Sequence, residues 1–295
     1  MIRFVNAKLN LGLNIVRRRE DGYHDLQTVF YPVGKYNGTP ENPEPFCDII
    51  EITPAPETEF ILTGRPVNCP LEKNLVFKAW KLFKSCYENC GASSSGQPER
   101  FFPDFSVRLE KHLPDGAGLG GGSADATFVL LILNELTGFP FSESRLADMA
   151  LQLGADCPFF VYNTPCYAEG VGEKMQTLDL DLKGWWCVLV KPEVSISTKE
   201  AFAGVTPLMP SVNLKEIVGY PVDLWQDKMR NDFEDSLFPN HPVLDEIKSG
   251  LLKLGASYAA MSGSGSTVFG LFPDRNLAQT AISRFPHCYT ALCML

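Results

Sequence analysis

Between residues 9 and 15 the apolar side chains Leu9, Leu11, Leu13 and Ile15 alternate with Asn10, Gly12 and Asn14. A period of two is that of a half-buried strand, here with polar groups on its other face. The charged run from Arg17 to Glu20 leads into an Asp21-Gly22 turn, and residues 26–33 return as a second strand, so the two form a hairpin or a long-looped pair. Three prolines and two glycines in 34–46 predict a loop ahead of a strand over 48–53, and 91–104 predict a second loop. Residues 74–87 set Leu75, Ala79, Leu82 and Phe83 on one helical face, after which 105–109 alternate as a strand. Helices are expected over 126–136, stopped by Gly138, and over 142–153. Past residue 178 a second set begins: a strand over 186–190, a helical region from Asp232, a helix over 244–254 ended by Gly255, and strands over Tyr258–Met261 and Val268–Phe272 around a Gly/Ser turn. The change of character predicts two domains, 1–178 and 179–295.

Composition narrows this to a globular protein. Of 295 residues 45% are hydrophobic and 21% charged, enough apolar mass for a core and too much for disorder or a collagen-like chain. Twenty-six Lys+Arg against 35 Asp+Glu leave a net charge of −9, so no nucleic-acid partner is expected, although a local basic pocket for a small phosphate compound is not excluded. Nine cysteines, an odd number without a CxxC pair or zinc-like spacing, read as reduced, mostly buried thiols of a cytoplasmic protein. Apolar runs such as 128–133 are too short for a membrane span and the N-terminus lacks a leader pattern, so a soluble, unprocessed chain is expected.

Four stretches carry candidate chemistry. Pro114-Asp115-Gly116-Ala117-Gly118-Leu119-Gly120-Gly121-Gly122-Ser123-Ala124-Asp125 places five glycines in seven residues directly before a helix. Glycines let backbone N–H groups crowd an anion, and the helix adds the positive end of its dipole. This is neither a Walker A loop, since no Gly-Lys-Ser/Thr closes it, nor a Rossmann fingerprint; a flexible glycine turn is the competing reading. Asp156, between Gly154 and an apolar run, needs a partner for its carboxylate but reads equally as a turn or cap residue. Ser262-Gly263-Ser264-Gly265 alone reads as a tight connection, and Lys8 alone as a solvated charge.

Taken in order, these segments resemble the galactokinase, homoserine kinase, mevalonate kinase and phosphomevalonate kinase superfamily, the GHMP kinases, over nearly the whole chain. Asp21-Gly22-Tyr23-His24 and Glu169-Gly170-Val171-Gly172-Glu173 point within it to the branch whose acceptor is CDP-methylerythritol. The resemblance implies an α+β fold with a ribosomal-S5-like N-terminal domain and a ferredoxin-like C-terminal domain. It implies transfer of a phosphoryl group from ATP, with Mg2+, to the 2-hydroxyl of that small molecule. Pro114 to Ser123 would cradle the ATP phosphates, with Ala124 and Asp125 closing the motif and Asp125 helping to hold the metal or the phosphates. Asn74 and Lys111 would lie near adenine and the nucleotide. Asp156 would accept the hydroxyl proton with Lys8 beside it, and Asn10 would hydrogen-bond the substrate. Tyr23, His24, Thr198 and Phe202 match the cytosine side, Tyr23 and Phe202 as faces and His24 as an edge. The chain departs from the family in having Asn6 where a proline is usual, and Ser123-Ala124-Asp125 in place of a Ser-Ser-Asp/Asn type run. Two alternatives stay open on the sequence: another GHMP acceptor such as homoserine or mevalonate, and a nucleotide-binding protein of this fold that has lost catalysis.

Overall fold

The computed structural model describes residues 1–34, 46–67, 69–90 and 101–295. The two expected long loops lie mostly outside that range. In chain order the elements are β1 (Ile2–Arg18), β2 (His24–Val33), β3 (Cys47–Pro54), β4 (Glu59–Gly64), α1 (Leu75–Asn89), β5 (Phe105–Lys111), α2 (Gly121–Leu136), α3 (Glu143–Leu153), α4 (Cys157–Tyr162), β6 (Cys166–Gly170), β7 (Lys174–Thr177), β8 (Trp186–Lys191), α5 (Thr198–Ala203), α6 (Leu214–Ile217), α7 (Phe233–Leu237), α8 (Pro242–Lys253), β9 (Tyr258–Met261), β10 (Val268–Phe272), α9 (Arg275–Ile282) and β11 (Tyr289–Met294). They fall into two compact units interleaved in sequence. The first comprises Met1–Asn6, Cys47–Asp115 and Gly120–Asn163; the second Ala7–Phe46, Gly116–Leu119 and Thr164–Leu295.

In the first unit β3 runs antiparallel to both the start of β1 and β5, and β4 joins β5 in parallel. Asn74 caps α1, its Oδ1 accepting from the Val76 amide at 2.9 Å, and the buried face of α1 is Val76, Ala79 and Phe83. Ala79 and Phe83 are on the expected face, whereas Leu75 and Leu82 are only partly buried and Val76 is enclosed instead. Helix α2 is buried almost all round, which is the signature of a central helix and explains why its sequence shows no polar face. It begins at Gly121, five residues before the expected start. Glycine is a poor helix former, and two of them read as loop. In the first turn, however, the amides have no intrahelical partner to lose, and the ladder starts as Ala124 N–H donates to Gly120 O at 2.8 Å.

In the second unit the rest of β1 pairs with β2, then β6 and β7, all antiparallel. A second antiparallel sheet has the order β11-β8-β10-β9. Strand β1 is longer than the alternating stretch and is not half-buried: Asn10 and Asn14 are as enclosed as the leucines between them. A buried asparagine must be hydrogen-bonded, so a polar face inside the fold marks a network rather than a solvent side. Gly12 is the extra residue of a bulge between Leu11 and Leu13. Its φ of +71°, and the Met229 side chain 2.5 Å from where a Cβ would stand, both require glycine.

Candidate active site

Within the first unit, Asn74, Lys111, Asp115, Gly122 and Asp125 line one cleft, its apolar side formed by Leu75, Leu109 and Leu113 among others. Its volume of about 150 Å³ is that of a cavity able to take one aromatic ring. Asn74 spends its oxygen on the α1 cap, so the two N–H donors of its amide are what it can offer a ligand there. Lys111 is buried between Asp48 and Asp125, with Nζ 2.7 Å from Asp125 Oδ2 and also donating to Asp48 Oδ2. Burial alone would lower the Lys111 ammonium; the charges of Asp125 and Asp48 outweigh it and hold the group above its ordinary value. Burial acts on Asp125 in the raising direction, with the Lys111 charge opposing it and Asp48 adding to it.

Asp48 carried no signal in the sequence, yet it organises this corner. Besides Lys111, its Oδ1 accepts from the amides of His112 at 2.6 Å and Leu113 at 2.8 Å. Those contacts fasten β3 to the segment that leads into Pro114 and the glycine run. Removing Asp48 leaves the Lys111–Asp125 pair but takes the acceptor from the His112 and Leu113 amides and from one Lys111 N–H, so Asp48→Ala is expected to cost about 3–5 kcal/mol of stability. Chemical denaturation of the variant measures it.

Of the five glycines, Gly116, Gly118 and Gly120 take positive φ, and Gly121 and Gly122 form the first turn of α2. The run is thus a loop of alternating left-handed residues ending on a helix N-terminus, a form that presents backbone N–H groups to an anion. Asp125 Oδ1 is buried and has no hydrogen-bond partner among the described residues. An orphaned carboxylate oxygen on a cleft wall fits a cation. No group of three or more His, Cys, Asp or Glu side chains able to hold a metal occurs among the described residues. An ion such as Mg2+, which uses one or two carboxylates and takes its other ligands from phosphates and water, would fit that oxygen.

Asp156, also in the first unit, stands half-buried just before α4, following Gly154 as expected. Lys8 and Asn10 lie in the second unit on β1. Lys8 is 3% exposed, which excludes a solvated surface charge. Its Nζ donates to Asn10 Oδ1 at 2.6 Å and lies 5.0 Å from the Phe30 ring centroid. Asn10 Nδ2 donates to Thr28 Oγ1 at 2.9 Å, and Thr28 to Gly12 O at 2.7 Å. Asn10 thereby positions the ammonium and keeps one amide N–H for a ligand. The Lys8 backbone amide donates to Leu119 O at 2.9 Å, fastening β1 to the glycine run.

Elsewhere in this unit His24 stacks on Phe202, ring centroids 4.7 Å apart at 20°, and Phe202 meets Phe233 edge-on at 4.9 Å. The sequence suggested a base lying between Tyr23 and Phe202; in the structure His24 itself covers a face of Phe202. Tyr23 is 65% exposed, so its ring serves no core. Thr198 opens α5 on the same short helix as Phe202.

Models of the GHMP kinase N-terminal and C-terminal domains match residues 74–164 and 221–291. The chain is an ATP-dependent small-molecule kinase of the GHMP class. A 4-diphosphocytidyl-2-C-methyl-D-erythritol kinase of Parabacteroides distasonis is 48% identical over 272 residues, 92% of each chain, and one of Bacteroides fragilis is 46% identical over 284 residues, 95% of each. A crystal structure of 4-(cytidine 5'-diphospho)-2C-methyl-D-erythritol kinase, 30% identical, superposes with a TM-score of 0.78 and covers 100% of both chains. The chain belongs to the family of 4-diphosphocytidyl-2-C-methyl-D-erythritol kinases.

Proposed function

We propose that the protein transfers the γ-phosphoryl group of ATP to the 2-hydroxyl of 4-diphosphocytidyl-2-C-methyl-D-erythritol, giving the 2-phosphate and ADP, as a cytoplasmic step of non-mevalonate isoprenoid precursor synthesis. The observation that carries the acceptor assignment is the His24–Phe202 stack next to the exposed ring of Tyr23. Aromatic faces recognise a nucleobase without a basic surface, at roughly 1–3 kcal/mol per stacked base, and neither homoserine nor mevalonate has a ring to place on them.

Phosphoryl transfer asks an enzyme mainly to position and to neutralise. In this scheme the 116–122 loop and the N-terminus of α2 receive the phosphate oxygens. Mg2+, when bound, neutralises charge on the phosphates, and Asp125 Oδ1 is the protein oxygen that would hold it. Asp156 takes the proton of the acceptor hydroxyl, and Lys8, steadied by Asn10, lowers the cost of negative charge on the attacking oxygen. Phosphorus NMR of the product tests it: a new phosphomonoester on the tertiary C2 oxygen is expected, and a phosphate on any other oxygen contradicts the proposal.

A pH dependence follows from His24. Burial, with the charge of Arg18 adding, lowers its pKa from the ordinary 6.5. A depressed histidine favours the neutral ring, so its contribution is present above 6.5 and is lost as pH falls through the folded value. The acceptor KM should therefore stay level above 6.5 and rise in acid, and His24→Asn should flatten the rise. Steady-state KM measured against pH for both proteins checks this.

A further inference from the structure

Of the two asparagines enclosed on β1, Asn10 is hydrogen-bonded to Lys8 and Thr28, whereas the side-chain amide of Asn14, 6% exposed, makes no hydrogen bond among the described residues. They also lie on opposite faces of the sheet. Side chains alternate along a strand, and Asn10 stands opposite Phe30 while Asn14 stands opposite Gln27, out of step with Phe30 and Thr28. The extra residue at the Gly12 bulge produces the reversal. On its own face Asn14 lines a cavity of about 610 Å³ whose other walls come from residues 208–232. That is about four times the volume of the cleft beside Asn74 and within the range of small-molecule sites. We propose that this cavity is a further ligand site, across the sheet from Lys8 and Asn10, which takes an uncharged aliphatic alcohol with its hydroxyl on Asn14.

The walls define the body of the ligand. Leu208, Met209, Leu214, Ile217 and Met229 all line the cavity, and such flexible aliphatic and thioether side chains mould to a hydrocarbon chain. Leu208 and Met209 are exposed, so the mouth is apolar as well. The ring of Tyr220 is already engaged: its hydroxyl donates to Glu216 at 2.9 Å, and Lys228 Nζ lies 5.7 Å from its centroid.

Asn14 defines the head. A buried amide with neither donor nor acceptor used is costly until a partner arrives, and a hydroxyl both donates and accepts through one atom. Charge is disfavoured at two places. A charged head would be desolvated at the buried end. An anion would also meet three carboxylates, Glu216, Asp227 and Asp232, against two cations, Lys228 and Arg230, and Arg230 is already paired with Asp232 at 3.3 Å and Asp235 at 3.1 Å.

Carbon-13 methyl NMR of methionine-labelled protein tests the site, because Met209 and Met229 report on its walls. The probe 1-octanol is expected to shift both resonances saturably, whereas octanoate and octylammonium at equal concentration leave them in place. Asn14→Leu loses no side-chain hydrogen bond within the protein, so its Tm should be no lower than that of wild type, and it should hold 1-octanol about tenfold more weakly. Val212→Trp, at an exposed position on the wall, should block the probe by filling the mouth. Saturating 4-diphosphocytidyl-2-C-methyl-D-erythritol should not displace 1-octanol. The absence of a saturable shift overturns the site, equal binding of octanoate overturns the choice of ligand, and wild-type affinity in Asn14→Leu overturns the role of the amide. Displacement by the cytidine compound would return the cavity to the acceptor site and sink the inference. So would methionine shifts that depend on protein concentration alone and vanish in Val212→Trp, the mark of an interface between copies of the chain. The comparison of the three probes needs only the wild-type protein, so it decides even where a variant fails to fold.

Discussion

Replacing Asp156 with asparagine is expected to lower kcat by about 10²–10⁴-fold, the range for loss of a general base, and to leave ADP affinity unchanged. The amide has the shape of the carboxylate but cannot take a proton from the acceptor hydroxyl. Asp156 lies outside the cleft lined by Asn74, Lys111 and Asp125, so nucleotide binding has no reason to follow. Only a half-buried position before a six-residue helix is altered, and the fold should survive. Single-turnover kinetics with saturating ATP measure the effect; a variant that keeps wild-type kcat would mean that the proton leaves by another route.

The second large effect is expected at Tyr23. Tyr23→Ala should raise the acceptor KM by about one to two orders of magnitude, the equivalent of roughly 1–3 kcal/mol of lost stacking, and barely move the ATP KM. Exposure makes this a clean experiment, because a ring that is 65% exposed can be removed with little cost in packing. Phe202→Ala is less clean, since it also strips the support of His24 and the edge contact with Phe233. Steady-state titration of each substrate against a fixed excess of the other separates the two constants. An acceptor KM like that of wild type, with a raised ATP KM, would move the aromatic turn to the nucleotide side.

What the sequence disclosed, and what it hid, divides along physical lines. Strands β1, β2, β3, β5, β8, β9 and β10 were legible because alternation or a short apolar run reports burial directly. Helix α1 was legible because both its period and its Asn cap are local signals. Strand β4 escaped because Glu59–Gly64 is largely exposed, and an exposed edge imposes no pattern; its pairing with β5 is parallel and non-local. The first turn of α2 was hidden because glycine propensity argues against helix where helix-end hydrogen bonding does not.

Site residues divide in the same way. The glycine run and Asp21-Gly22-Tyr23-His24 are unusual as local strings and announce themselves. Asp48 does not: it is one acid on a β-strand, and its partner Lys111 is 63 positions away. Asn14 likewise acquires meaning only from the other walls of its cavity, about 200 positions away in the chain. Such residues act through tertiary contacts that no local pattern encodes. The polar half of β1 was legible as polar, but that Asn10 and Thr28 support a buried ammonium required the register of β1 against β2.

The identity of the acceptor is the central claim, and an ADP-release assay with three candidates tests it most directly. With ATP and Mg2+ supplied, 4-diphosphocytidyl-2-C-methyl-D-erythritol should support turnover, while homoserine and mevalonate, acceptors of kinases that share this fold, should give only background. Turnover with either of those two and none with the cytidine compound would contradict the account.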